Sequence, residues 1–219
     1  MFAAASLTES FTAIGDDFTA ANPGVTVTFN FGGSSSLAQQ VVSGAPADVF
    51  AAASPASMAP VTDEDLTAGE PAVFARNRLE IAVPSGNPAG VSGLADLADS
   101  DLTIALCAPE VPCGAAAEKV FDAAGLTAAP DTLEQDVKAT ITKVELGEVD
   151  AALVYRTDVL AAGSAVEGIS FAEADEAVND YQIATLAGAP NGVAAQAFLE
   201  SVLSTEGQAV LGDAGFEHH

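Results

Sequence analysis

Phe2-Ala3-Ala4-Ala5-Ser6-Leu7-Thr8-Glu9 is an apolar run that passes directly into a serine and then into an amphipathic pattern. It reads as a strand joined at once to a helix that Ser6 begins, with Glu9 three residues on fitting a capping box. Three more stretches are alike in kind: Gly32-Gly33-Ser34-Ser35-Ser36-Leu37, Glu110-Val111-Pro112-Cys113-Gly114 and Gln135-Asp136-Val137-Lys138. Each joins a strand or loop to a helix start, where backbone N–H groups lack intrahelical partners and the positive end of the helix dipole favours an anion. No Arg or Lys stands at the turn itself. Several neutral, donor-rich helix starts in one chain imply a small, fully ionised oxyanion as the species held.

Outward from these turns, strand and helix patterns alternate, as in an α/β fold. Strands are expected at Phe2–Ala5, Val25–Phe31, Asp48–Ala52, 77–84, Leu102–Leu106, Ala151–Tyr155 and Gln182–Leu186. Helices are expected over about Leu7–Ala21, Ser36–Ser43, Ser54–Ala59, Leu94–Ala98, Gly114–Ala124, Val137–Leu146, Arg156–Ala161, Gly192–Leu203 and Glu206–Ala214, with Gly125 as a cap. The acidic stretches Thr62–Glu70 and Glu173–Asp180 read as solvated surface.

The 219 residues suffice for one large domain or two small ones, and 49% hydrophobic against 17% charged residues describes a folded chain. Six Lys plus Arg face 31 Asp plus Glu, a formal charge of −25. That balance excludes nucleic acid and anionic membrane surfaces as partners, because both are held by basic clusters. It also repels an anion at long range, so an anion site has to act at short range. No apolar run approaches the length of a membrane span. Met1 abuts the first strand and no signal peptide precedes it, which reads as a mature chain without its leader. His218 and His219, the only histidines, read as a tag remnant. Without them no histidine remains for catalysis or metal binding.

Cys107 and Cys113 are the only cysteines. Six positions apart, they could close a short loop by a disulfide or stand as two buried thiols; a bridge would place the chain outside the cytoplasm. Two cysteines without histidine fall short of a four-ligand zinc site. Ser34-Ser35-Ser36 after two glycines is either an ordinary polar cap or a phosphate-like cradle. It lacks the Gly-Lys-Ser/Thr of a P-loop, and no histidine is present to activate a serine nucleophile. Cys113 and Val137 would act through backbone N–H groups. Tyr155 ends an apolar strand, where its hydroxyl either is satisfied in the core or serves a ligand.

Together these residues resemble the periplasmic molybdate-binding protein family, the solute receptors of molybdate ABC importers. The resemblance rests on 2–8, Gly33-Ser34-Ser35-Ser36-Leu37-Ala38-Gln39-Gln40, Gly44-Ala45-Pro46-Ala47-Asp48-Val49-Phe50, 109–114, Asp136-Val137, Leu153-Val154-Tyr155-Arg156-Thr157-Asp158 and Gly215-Phe216. It runs in order over essentially the whole chain. It implies a ligand shell of the Ser6 and Ser34 hydroxyls, the Cys113 and Val137 amides and the Tyr155 hydroxyl. Cysteine at 113, where many members have alanine, is a departure that a backbone donor tolerates. No metal is implied beyond the molybdenum of the oxyanion, and no cofactor.

The implied fold is α/β and two-domain, of the type II periplasmic-binding-protein kind, each domain a sheet flanked by helices, with the ligand in the interdomain cleft. Residues 1–76 and 184–219 would form domain one and 77–183 domain two, with hinge crossings near Arg76–Leu79 and Tyr181–Ile183. The implied function is extracytoplasmic capture of molybdate, with tungstate too similar in size to be rejected, and delivery to an ABC permease. The chain would be a monomer, at the periplasm or cell surface, with any lipid-anchoring cysteine upstream of Met1. Competing readings are a sulfate or other oxyanion receptor on the same fold, a ligand-sensing module without transport, and an enzyme acting through Ser34 or a carboxylate pair. The last is disfavoured by the missing histidine, metal cluster and nucleotide motif.

Overall fold

The computed structural model describes residues 1–218, so the tag reading at His219 lies outside the described residues. In chain order the elements are β1 (Phe2–Ala4), α1 (Thr8–Ala21), β2 (Asn30–Gly32), α2 (Ser34–Val42), β3 (Val49–Ala52), α3 (Pro55–Asp63), β4 (Ala72–Asn77) and β5 (Leu79–Pro84). There follow β6 (Ile104–Cys107), α4 (Pro112–Ala124), β7 (Thr132–Glu134), α5 (Val137–Glu145), β8 (Ala151–Tyr155), α6 (Arg156–Ala162) and β9 (Val166–Ile169). β10 (Asn179–Thr185), α7 (Gly192–Leu203) and α8 (Thr205–Asp213) complete the chain. Short 3-10 turns precede α1 and flank several strands. The chain divides into two compact units, one of Met1–Arg76 with the chain from Asp180 on, the other Asn77–Asn179.

The first unit is built on a five-stranded sheet in the order β2-β1-β3-β10-β4. β1 lies parallel to both β2 (Ala4 opposite Gly32) and β3 (Ala3 opposite Ala51), while β10 runs antiparallel to β3. Successive residues of a strand point to opposite faces, and the apolar runs here feed both. Ala3, Val49 and Ala51 pack with Phe11, Ile14, Phe18, Phe74, Tyr181 and Phe198. Phe2, Phe50 and Ala52 pack with Leu37, Val41, Met58 and Val61 on the other side. Burial on both faces explains why these strands carry no apolar–polar alternation. The aromatic side is knit by tilted and edge-on rings, Phe11 with Phe74 at 5.6 Å and Phe18 with Phe198 at 5.4 Å.

The second unit has its own sheet, β7-β6-β8-β5-β9. β6 is parallel to β7 and β8, and β5 runs antiparallel to β8 and β9. Its central strands are fully buried apolar runs, Ile81–Val83, Ile104–Leu106 and Ala151–Val154. The two units thus share a plan: three neighbouring parallel strands, each leading into a helix, closed by an antiparallel neighbour.

Several expected elements move. The strand expected over Val25–Phe31 shrinks to Asn30–Gly32, because β1, its partner, has only three residues. Val25, Val27 and Phe29 still turn toward the core. The strand expected at 77–84 is β5, which begins at Leu79, while β4, β7 and β9 carried no pattern that marked them. α2 begins at Ser34 rather than Ser36. Within the acidic run at 173–180, Asp175 and Asp180 pair with Arg78 and Arg76.

Cys107 and Cys113 form a disulfide, Cα atoms 5.7 Å apart, tying the end of β6 to the first turn of α4. Gly114 lies so close beneath it that an added Cβ would stand 2.0 Å from the Ala108 carbonyl oxygen. Replacing both cysteines by serine should lower stability by about 2 kcal/mol, through the freedom returned to the unfolded loop, read as a lower denaturant midpoint. An unchanged midpoint would contradict this. Gly114→Ala should be more disruptive, displacing the start of α4, and a wild-type melting temperature for that variant would show the contact to be softer than it looks.

Candidate functional site

In each unit the residues singled out from sequence stand at the carboxyl ends of the parallel strands, where α/β proteins carry their ligands. Ser6 and Ser34 follow β1 and β2 by two residues, and these strands are paired in register at their ends. Cys113 lies in the loop-to-helix junction after β6, Val137 begins the helix after β7, and Tyr155 is the last residue of β8. Ser6 and Ser34 belong to the first unit and the other three to the second.

Ser6 does not cap α1. A 3-10 turn, Ala5–Leu7, intervenes, α1 begins at Thr8 behind Leu7, and no side chain caps it, so the capping box with Glu9 is not formed. The buried Ser6 hydroxyl instead shares a 2.8 Å hydrogen bond with the hydroxyl of Tyr181 on β10. Thr8 closes the turn locally by donating to the Ala5 carbonyl at 2.6 Å.

Ser34 is the first residue of α2 behind Gly33, and it is 1% exposed. Its hydroxyl oxygen accepts from the Ala53 N–H at 3.0 Å, just past the end of β3. That bond takes one of the hydroxyl's two acceptor positions and leaves its own proton to be donated. The intrahelical ladder begins with the Leu37 N–H on the Gly33 carbonyl, so the amides of the first turn precede it.

In the second unit Pro112 at the first position of α4 has no N–H to satisfy, and the ladder begins with the Ala115 N–H on the Val111 carbonyl at 2.9 Å. The Cys113 amide thus precedes the ladder. α5 starts in the same way: Asp136 caps it by accepting from Ala139 at 2.9 Å, and the Thr140 N–H reaches the Asp136 carbonyl, leaving the Val137 amide ahead of the ladder. The Cys107 sulfur lies 3.3 Å from the Thr140 hydroxyl, linking the disulfide to α5 as well. Tyr155 is 1% exposed, and its hydroxyl oxygen accepts from the Asn179 side-chain amide at 2.7 Å.

The Lys138 charge near these donors is matched within the protein. Lys138, one residue into α5, stands 3.4 Å from the buried Asp158 carboxylate of α6. The candidate groups at these strand ends are hydroxyls and amides, and Arg156 directly follows Tyr155 as the first residue of α6. Among the described residues no group of three or more His, Cys, Asp or Glu could hold a metal ion. Sequence reading missed Tyr181, Asn179 and the Ala53 amide. The Tyr181–Ser6 contact spans 175 positions and carries no local signal, and Asn179 sat within a run read as solvated acid.

The comparisons with known proteins agree with this organisation. A family model for bacterial extracellular solute-binding proteins matches residues 1–217. The molybdate-binding protein ModA of Mycobacterium tuberculosis is 42% identical over 216 residues, spanning 99% of this chain and 83% of that protein. The molybdate-binding protein ModA of Haemophilus influenzae is 34% identical over 168 residues, covering 72% of this chain and 66% of its own. Among solved structures, the Azotobacter vinelandii periplasmic molybdate-binding protein superposes with a TM-score of 0.82 at 18% identity, covering 98% and 96% of the two chains. The sulfate-binding protein SubI of Mycobacterium tuberculosis gives 0.86 at 17%, covering 99% and 85%. At such identities these two speak for the fold alone, and the fold is the expected α/β, two-domain, type II arrangement. By sequence and by fold, this chain belongs to the bacterial extracellular solute-binding protein family, and ModA proteins are among its relatives.

Proposed function

We propose that this protein is an extracytoplasmic receptor that captures molybdate and presents it to the permease of an ABC importer. The Ser6, Ser34 and Tyr155 hydroxyls and the Cys113 and Val137 amides would all donate to one anion. The observation that carries this reading is the polarity of the hydroxyls. Ser34 accepts from the Ala53 N–H and Tyr155 from the Asn179 amide, contacts that support reading each hydroxyl as a donor to the anion. A shell of donors suits an oxyanion that carries no proton. A protonated phosphate would set its own O–H against a donor, a mismatch that discriminates strongly once water is excluded. Sulfate shares molybdate's charge and shape, so cavity size has to separate the two, and identity to ModA rather than to a sulfate receptor favours the larger ion. Tungstate, nearly equal in size, should bind as well. The disulfide suits an oxidising compartment, and no helix among the described residues is long and apolar enough to cross a membrane. Binding and release without turnover is the expected activity, by a monomer.

Isothermal titration of the ligand-stripped protein with molybdate, tungstate, sulfate and phosphate in turn tests the reading. Tight one-to-one binding of the first two, with sulfate and phosphate weak, is the expected result. Preference for sulfate or phosphate would overturn the ligand, and silence from all four would overturn the oxyanion reading itself.

Ser6→Ala, Ser34→Ala and Tyr155→Phe should each weaken molybdate by about 1–3 kcal/mol, since each removes a charge-assisted bond. Ser34→Ala should also lower stability by about 1 kcal/mol, because the buried Ala53 N–H loses its acceptor. Val137→Ala should leave affinity near wild type, the amide being retained. Wild-type affinity in all three hydroxyl variants would refute the assignment.

With a formal charge of −25 and neutral donors, association should be slowed by repulsion at low ionic strength. Stopped-flow association rates for molybdate should rise as sodium chloride is added. A rate that falls with salt would point to a cationic steering patch instead.

A further inference from the structure

Thr140 lies within α5 and is wholly buried. A threonine is an indifferent choice for a helix interior, because its hydroxyl turns back on the carbonyl four residues earlier. Here that carbonyl is Asp136's, and the Thr140 hydroxyl donates to it at 3.0 Å while the Thr140 N–H donates at 3.2 Å. The Cys107 sulfur lies 3.3 Å from the same hydroxyl. A disulfide sulfur carries no hydrogen and accepts only weakly, so the carbonyl is the stronger claimant on the hydroxyl's one proton. The Asp136 side chain is held as well, accepting from the Ala139 N–H at 2.9 Å.

The Asp136 carbonyl belongs to the same peptide group as the Val137 N–H. In a trans peptide the C=O and the N–H point in opposite directions. Two donors reaching the Asp136 oxygen from inside the helix therefore set the plane of that peptide and direct the Val137 N–H out of the helix start. They also strengthen it as a donor, since hydrogen bonds at the two ends of a peptide group reinforce each other. The sulfur on the other side of Thr140 is bonded to Cys113, whose amide is the second helix-start donor of this unit. One buried side chain thus touches both the peptide that carries the Val137 proton and the bridge that ends at Cys113.

We infer that Thr140 is a positioning residue for the oxyanion site, setting the Val137 amide through the Asp136 carbonyl and coupling it to the Cys107–Cys113 bridge. This rests on the reading that the Val137 and Cys113 amides donate to the bound oxyanion.

The test compares Thr140→Val, which keeps the shape and removes the hydroxyl, with Thr140→Ser, which keeps the hydroxyl. Titration with molybdate should show a loss of about threefold to tenfold for valine and a value within about twofold of wild type for serine. Packing alone predicts the reverse order, since valine fills the buried site as threonine does and serine leaves a methyl-sized gap. Should Thr140→Val not fold, Thr140→Ala removes the same hydroxyl without adding an apolar branch and should lose affinity likewise. The coupling is read by adding Thr140→Val to the protein with both cysteines replaced by serine. The combined loss should fall short of the product of the separate losses, because each change loosens the same contact. A second readout needs no ligand. The carbonyl-carbon NMR resonance of Asp136 should move upfield in Thr140→Val and return in Thr140→Ser. Affinity lower for serine than for valine, losses that multiply, or an unmoved Asp136 resonance would overturn the inference. Should wild type bind none of the oxyanions, the functional reading fails and the inference falls with it. A displaced Asp136 resonance would then show that the error lies in the ligand and not in the Thr140 contact.

Discussion

A hydroxyl can both accept and donate, and a donor set behind it takes up acceptor capacity and favours its offering a proton in front. Two candidate hydroxyls have a defined donor on their oxygen, the Ala53 N–H on Ser34 and the Asn179 amide on Tyr155. The helix-start amides of Cys113 and Val137 are donors by nature. A set polarised in one sense is suited to an acceptor-only anion, and a ligand bearing its own acidic proton would meet it badly. Discrimination between oxyanions of equal charge then turns on protonation and size rather than on counting cations, consistent with a chain of net charge −25 whose Lys138 is matched by Asp158.

The fold supplies this polarity cheaply, because parallel strands leading into helices expose amide protons at their carboxyl ends in any α/β protein. What is particular to this chain lies in the fastening of those ends. The Cys107–Cys113 bridge and the close approach of Gly114 to Ala108 hold the start of α4 against β6. The Cys107 sulfur reaches Thr140 of α5, so two donor-bearing helix starts lean on one disulfide. In the first unit the same rigidity comes from packing, with aromatic rings on one face of the sheet and aliphatic side chains of α2 and α3 on the other.

Much of this was legible in the residues. α5 and α7 fall where helices were expected, Gly125 ended α4 in the left-handed conformation a glycine tolerates, and the apolar runs of β1, β3 and β8 marked strands that prove buried. The short edge strands were not, since three residues such as Thr132–Glu134 carry too little pattern and are strands only by virtue of a partner 27 residues away. The helix-start stretches could be singled out because each follows a strand or loop pattern, while the individual donors were implied by the family resemblance. Their backing groups could not. Tyr181 meets Ser6 across 175 positions and Asn179 meets Tyr155 across 24, and nothing in the neighbourhood of either hints at the pairing. Ser6 shows the limit most plainly: its spacing to Glu9 suggests a cap, and the long-range hydroxyl contact takes it elsewhere.

The most direct test of a donor shell made of Ser6, Ser34, Cys113, Val137 and Tyr155 is a crystal structure of the molybdate-loaded protein with the metal located by its anomalous scattering. The expected result is a single strong peak whose surrounding oxygens accept hydrogen bonds from those three hydroxyls and two amides. A peak elsewhere, or one contacted chiefly by Lys or Arg side chains, would contradict it.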